Sequence, residues 1–352
     1  MTGSKSIHGR GAAERPPNRF EPLHYERDAE SDEPDDPSPE TQFFRDHSKS
    51  FITYNDSPDI PFDASINPYR GCEHGCIYCY ARPYHEYLGF SAGLDFETKI
   101  MVKENAPELL RQELSSPRWK PQTLSMSGVT DCYQPIERKL KLTRRCLEVL
   151  AEFRNPVGIV TKNHLVTRDL DLLQELARHD AVAVYVSVTT LDPDLAGIME
   201  PRTARPASRL DTIAKLNAAG VPAGVMVAPV IPGLTDHELP AIIAAAGQAG
   251  AKFAGCVPLR LPYGVADLFE KWLEQHFPLR KEKVLAQIRA IRGGKLNYPN
   301  FNSRMTGQGI FAEQIQQVFK VARRKAGIPE HGPSLSTAAF RRPPGNQLDL
   351  NL

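Results

Sequence analysis

Between residues 51 and 264 two periodicities take turns. Short β-branched runs, apolar on alternate or successive positions, are each followed by a longer stretch whose apolar residues recur every three or four places, which is the pattern of strands alternating with helices. The runs predict strands over Ile60–Tyr69, Gln122–Ser127, Val157–Thr161, Ala181–Thr190, Gly224–Val230 and Phe253–Leu259, with a further extended segment over Phe96–Val102. The intervening stretches predict helices over Ala106–Leu114, Arg138–Phe153, Arg168–His179, Ala207–Ala219 and Asp236–Ala249. Gly220 and Gly250 stand where helices end. Strand and helix in strict alternation imply a parallel sheet, and about six such units are too few to close an eight-stranded barrel.

On either side the rhythm stops. Residues 1–50 are poor in aliphatic side chains, and Arg27–Glu40 sets seven acids against one base. Such a segment cannot bury enough apolar surface to offset the entropy of ordering, so it reads as a disordered acidic tail. Residues 265–330 read as a helical cap, with a long helical stretch over Asp267–Ile291 interrupted at Pro278 and a helix over Phe311–Lys325. The cap's Lys320, Arg323, Arg324 and Lys325, with Arg280, Lys281, Lys283, Tyr298 and Phe301, would suit a nucleic acid. A solvated helix surface explains them equally. Residues 331–352 are rich in Pro and polar residues and read as a flexible tail.

Composition changes this picture little. With 352 residues, 41% hydrophobic and 24% charged, the chain can bury one large core. Its net charge of +1 gives no overall attraction to nucleic acid or anionic lipid. Met1–Arg15 lacks the apolar centre of a secretory signal, no run reaches the length of a membrane helix, and no disulfide framework is suggested by six cysteines in so long a chain. A cytoplasmic setting with reduced thiols is the expectation.

Three of the six cysteines fall within eight residues, in Gly71-Cys72-Glu73-His74-Gly75-Cys76-Ile77-Tyr78-Cys79-Tyr80. Their spacing, Cys-x3-Cys-x2-Cys, makes the loop wrap around whatever the thiolates hold, and the two glycines supply the backbone freedom for it. Structural zinc takes four protein ligands, whereas an iron–sulfur cube held by three thiolates keeps one iron open. A zinc site completed by His74 or His85 remains the alternative.

This spacing, with an aromatic residue just before the third cysteine, resembles the radical S-adenosylmethionine (radical SAM) superfamily. The resemblance runs from about Asn67 to Leu261, and over the whole chain it is nearest to bacterial radical SAM proteins related to spore photoproduct lyase. It implies an open, partial (β/α)6 TIM-like barrel over residues 51–264, a [4Fe–4S] cluster on Cys72, Cys76 and Cys79, and SAM chelated to the open iron. It also implies reductive cleavage of SAM to a 5′-deoxyadenosyl radical that takes a hydrogen atom from the substrate, and an electron donor such as flavodoxin or ferredoxin.

The same resemblance suggests roles at the strand ends, where ligands of such barrels gather. Tyr78 would lie near the adenine. Ser127, Gly128 and Thr130 occupy the place of a Gly-Gly-Glu-like stretch that meets the amino group of SAM, with an ordinary turn as the alternative. Lys162, in a Thr-Lys pair similar to that of the lyase branch, is the candidate for the SAM carboxylate, or else a solvated lysine. Ser187 would suit ribose or amino contacts, and Glu200 with Arg202 could read both ends of the zwitterion or pair with each other. Cys132, a few residues past the second strand, is expected at the catalytic rim as a hydrogen-atom donor. In the lyases the corresponding cysteine falls nearer to the positions of Gly128 and Val129, so photoproduct repair does not follow. The substrate stays open between a nucleic-acid lesion or base and a protein or small molecule, and a zinc-stabilised binding module is the reading from a different class.

Overall fold

The computed structural model describes residues 7–20, 39–301 and 303–343. Its centre is a sheet of six parallel strands lying side by side in chain order: β1 (Ala64–Ile66), β2 (Leu124–Met126), β3 (Val157–Thr161), β4 (Val182–Ser187), β5 (Ala223–Val230) and β6 (Ala254–Pro258). A short antiparallel strand, Thr53–Tyr54, flanks β1. β6 and Thr53–Tyr54 are the two outer edges and do not pair. The result is an open (β/α)6 partial barrel.

Alternation along the strands decides which side is filled. In β3, Val157, Ile159 and Thr161 are buried while Gly158 and Val160 are only half-buried. Val157 and Ile159 share one core with Val182, Val184 and Val186 of β4 and with the inner faces of the outer helices. Those helices are α1 (Ala106–Ser115), α2 (Leu142–Phe153), α3 (Leu170–Ala177), α4 (Pro206–Ala218) and α5 (Leu239–Gln248). Beyond the barrel come α6 (Val265–His276), α7 (Lys281–Ala290) and α8 (Ile310–Lys325). α8 lies along α5 and β6, sending Ile315, Phe319 and Ala322 into the main core, so it fills the place of the helix after β6. α6 and α7 instead build a second core with Cys76, Ile77, Tyr78 and Met199.

Several elements differ from the sequence expectation for local reasons. The helix expected over Arg138–Phe153 is two, Glu137–Leu140 and Leu142–Phe153, divided at Lys141, whose φ of 53° lies in the left-handed region. An unexpected helix, Pro193–Met199, begins where the Asp192 carboxylate accepts the N–H of Asp194 at 2.8 Å and of Leu195 at 3.2 Å. Phe96–Val102 divides into the end of a short helix, Leu94–Thr98, and a strand, Lys99–Val102, which carries a small second sheet with Gln42–Arg45 and Tyr69–Arg70.

The expected tails divide likewise. The acid-rich residues 21–38, and residues 1–6, lie outside the described residues, but residues 7–20 are packed: Ala12 is buried, and Leu94 N–H donates to the Glu14 carbonyl at 2.9 Å. At the other end, residues 331–343 cross the loops preceding β2, β3 and β4, with Ser336 N–H on the Asp180 carbonyl and Arg341 N–H on that of Phe153, each at 2.9 Å. Composition did not reveal this, because each segment is held by a few contacts with distant residues, Ala12 in the second core and Phe340 against the main one, and not by apolar runs of its own. Residues 344–352 lie outside the described residues. Among the described residues no helix is long and apolar enough to cross a membrane.

Candidate functional site

The cysteine loop leaves β1 by way of Tyr69–Arg70 and enters successive tight turns. Gly71 and Gly75 take φ of 80° and 67°, values that strain any side chain larger than hydrogen. Each cysteine carbonyl accepts an N–H three residues on: Gly75 at 3.3 Å, Cys79 at 3.2 Å and Arg82 at 3.2 Å. The loop is tied outward where Cys72 N–H meets the Phe96 carbonyl at 2.8 Å and Ile77 N–H meets that of Met199 at 3.1 Å.

Beneath the loop lies a fully buried arginine. Arg82 donates to the carbonyls of Cys76 (3.0 Å), Gly75 (3.1 Å), Gly93 (3.0 Å) and Ala92 (3.2 Å), and pairs with Glu97 at 2.5 Å. The Glu97 carboxylate also accepts the backbone N–H of Gly11 (3.0 Å) and Ala12 (2.8 Å). A buried ion pair is tolerable only when its remaining donors and acceptors are satisfied, and here they are spent on holding the loop. The N-terminal segment comes so close that a Cβ on Gly11 would sit 1.7 Å from the Gly75 carbonyl oxygen.

Cys72 and Cys76 are buried and Cys79 is half-buried. Burial pushes the Cys72 thiol well up, and the negative charge of Asp131 and then of the two other cysteines adds to it. Burial likewise raises Cys76, against which Lys162 and Arg209 pull down. Among the described residues no group of three His, Cys, Asp or Glu side chains is placed to hold a metal ion. A mononuclear ion draws its ligands to one point, whereas a cube gives each thiolate its own iron. Three thiols on one wrapped loop, with Lys162 and Arg209 acting on Cys76, are a donor set that suits a cube with one open iron.

Beside the loop, at the C-terminal ends of the strands, is a buried charge network. Lys162, just past β3, places Nζ 3.2 Å from the Glu200 carboxylate, 3.2 Å from Thr189 Oγ1 and 3.2 Å from the Ala228 carbonyl at the end of β5. Glu200 also accepts from Tyr78 and Arg209, and from Thr189 Oγ1 at 2.8 Å. Burial brings the Lys162 ammonium down to about 8. Lys162 is therefore not the solvated lysine of the alternative reading. The Asp131 carboxylate accepts Lys162 N–H (2.7 Å) and Thr161 Oγ1 (2.9 Å) and faces His74 Nδ1 (3.3 Å). Burial alone would raise Asp131, but His74 and the backbone donors outweigh it and hold the carboxyl below its ordinary range.

The structure gathers Tyr78, Lys162 and Glu200 into one network and separates Arg202 from it. Arg202 faces Glu73 at 3.4 Å and Thr41 Oγ1 at 3.3 Å, so Glu200 and Arg202 do not pair, and Arg209 takes that place. Ser127, at φ 75°, accepts Cys132 N–H at 2.8 Å. The Gly128 carbonyl accepts the Tyr80 hydroxyl at 2.6 Å, Thr130 donates to the Tyr69 carbonyl at 2.8 Å, and the Ser187 carbonyl accepts Arg209 Nη1 at 3.1 Å. Cys132 is not at the rim. It is 0% exposed within the main core that also holds Tyr133 and Cys146, and Thr143 Oγ1 of α2 donates to its carbonyl at 2.6 Å. Arg82 and Glu97 escaped the sequence reading, since isolated charges look like solvated ones.

Residues 66–246, about half of the chain, match the family described as the Radical SAM superfamily. An uncharacterized protein of Mycobacterium tuberculosis is 41% identical over 224 residues, a span of 62% of this chain and 65% of that relative, slightly under two thirds of its length. An uncharacterized protein of Methanocaldococcus jannaschii is 31% identical over 173 residues, covering 49% of this chain and 62% of the relative. Among solved structures, a spore photoproduct lyase mutant with bound AdoMet and dinucleoside spore photoproduct is similar with a TM-score of 0.58 at 16% identity, over 80% of this chain and 78% of that one. At that identity the likeness concerns the fold.

Proposed function

The chain belongs to the radical SAM superfamily, whose cofactors are a [4Fe–4S] cluster and SAM, and from that premise we propose that Cys72, Cys76 and Cys79 hold the cluster and that Lys162 meets the SAM carboxylate. The observation that carries this is three thiols on one clamped loop beside a buried Lys162–Glu200 pair. When bound, the cluster supplies the electron for reductive cleavage of SAM and, through the resulting radical, hydrogen-atom abstraction. The chain's own residues do the positioning. Arg82 and Glu97 fix the loop, and Glu200, held by Arg209 and Tyr78, orients the Lys162 ammonium towards the barrel mouth. Lys162 and Glu200 together offer the two charges that complement a methionyl zwitterion. An external donor such as flavodoxin or ferredoxin supplies the electron. The substrate reading is a nucleic-acid lesion or base, supported by the dinucleoside bound in the lyase of like fold; a protein or small molecule is the alternative. Cys132 is left out of the proposed mechanism, its side chain being buried in the main core.

The test is anaerobic purification and reconstitution followed by reduction with SAM present. A brown protein with about four irons that releases 5′-deoxyadenosine supports the assignment, and a colourless one holding a single zinc sinks it. Deuterium passing from a labelled nucleic acid, but not from peptides, into 5′-deoxyadenosine would fix the substrate class.

A further inference from the structure

The helical turn that follows the cysteine loop, Arg82–Leu88, and the segment after β6 carry aromatic rings that the core does not use. Tyr84, Tyr87, Phe20 and Tyr263 are exposed at 56%, 69%, 54% and 65%, yet they are not scattered. Phe20 stacks on Tyr87 with centroids 4.7 Å apart, and Tyr87 lies 6.4 Å from Tyr84. Arg19 joins this group to Tyr263, its guanidinium 5.0 Å from the Phe20 centroid and 3.8 Å from that of Tyr263. Tyr263 holds its ring there from a left-handed backbone, φ 50°, a conformation that non-glycine residues rarely adopt. The row extends to the barrel mouth. Tyr80, next to Cys79, reaches to the Gly128 carbonyl past β2 while Arg260, past β6, covers its ring at 4.6 Å.

Monomeric proteins rarely leave a contiguous array of large apolar groups in water unless something covers it. The chemistry of this array narrows the occupant. It is a run of half- to two-thirds-exposed rings stacked on one another and on the Arg19 guanidinium, whose charge is balanced by Glu86 at 2.6 Å, so it offers rings rather than net charge. Planar, unstacked bases match such faces, because stacking on aromatic rings and on arginine is available to every base. A duplex hides those faces.

We propose that the row Tyr84, Tyr87, Phe20, Arg19 and Tyr263 is a stacking platform for single-stranded nucleic acid, which leads a base past Tyr80 and Arg260 into the barrel mouth. This deepens the nucleic-acid reading above and rests on it for the reaction, but its binding step needs neither reduction nor turnover. With few phosphate contacts, binding weakens only gently with salt, by about −0.7 in log–log slope for each phosphate neutralised.

The test is fluorescence anisotropy of a labelled twelve-nucleotide oligothymidylate, and of a hairpin duplex of the same length, on the reconstituted holoprotein without reductant. The wild type should bind the single strand more tightly than the hairpin. Tyr84→Ala with Tyr87→Ala should weaken single-strand binding by about five- to a hundredfold for each stacked base lost, whereas Tyr84→Phe with Tyr87→Phe should retain it. Iron content and SAM binding measured on the same samples report separately on the radical SAM assignment. The proposal is overturned if the single strand does not bind, if the hairpin binds as well, or if the alanine pair binds like the wild type. It is also overturned if Arg323→Ala with Arg324→Ala on α8 removes the binding instead.

Discussion

The two ends of the barrel satisfy their polar atoms in opposite ways. At the C-terminal ends of the strands, charge is buried against charge: Arg82 with Glu97, Lys162 and Arg209 with Glu200, His74 with Asp131. At the N-terminal ends, the strap of residues 331–343 closes the loops with backbone hydrogen bonds and with rings, Phe340 lying 6.3 Å from Phe153, while Tyr185 packs 4.5 Å from Phe253. Buried ion pairs are a poor route to stability, since well-packed apolar groups of similar size often do better. Their concentration at one end coincides with the site proposed above, whereas at the other end the arginines of the strap, Arg341 and Arg342, are spent on the carbonyls of Glu152, Ser116 and Trp119.

The largest effect that would break this contrast lies in the loop. Alanine at Cys72, Cys76 or Cys79 should abolish iron binding and SAM cleavage together, as read by iron assay and by 5′-deoxyadenosine release; full cleavage by any one variant removes that cysteine from the ligand set. Next comes Glu200→Gln, which leaves Arg209 and Lys162 buried against a neutral amide. A loss of about 3–5 kcal/mol is expected from uncompensated buried charge, measured by denaturant unfolding, and an unchanged midpoint would show that the network is not what holds that end.

Lys162→Ala should cost SAM affinity about tenfold to a hundredfold, the worth of a charge-assisted contact of about 1.5–3 kcal/mol, with the cluster spectrum intact. The pH dependence sharpens this prediction. Lys162 falls to about 8 on folding, from an ordinary 10.5. Between those values the unfolded chain binds the proton that the folded chain has released, so this residue's share of stability rises with pH across the window. Wild-type SAM affinity should fall as pH passes upward through about 8, and the alanine variant should show no such limb. The smallest effect belongs to the other end. Phe340→Ala should lower stability by about 1 kcal/mol and leave SAM affinity unchanged; altered affinity would mean that the two ends are coupled.

What the sequence disclosed divides along similar lines. Val157–Thr161 was legible to the residue, because a short β-branched run between turn signals has one comfortable conformation. The break at Lys141 was not, since a lysine held left-handed by its surroundings leaves no mark like that of glycine or proline. The cysteines announced themselves by spacing, and Lys162 and Glu200 by resemblance. Arg82 and Glu97 were hidden because the value of a buried charge lies in its partner, which for Glu97 includes the N–H groups of Gly11 and Ala12 more than eighty positions away. Cys132 misled for a related reason. Its distance from the strand end was readable, but its burial in the main core was not.

The tight approach of Gly11 to the Gly75 carbonyl also imposes an order of events during synthesis. The segment that covers the outer side of the cysteine loop is the first described part of the chain to be made, yet it cannot seat until Glu97 exists to receive it. At about 5–20 residues per second, the gap between making Ala12 and making Glu97 is on the order of ten seconds. The three cysteines are made inside that interval, before Gly11 and Ala12 can seat against the loop's backbone.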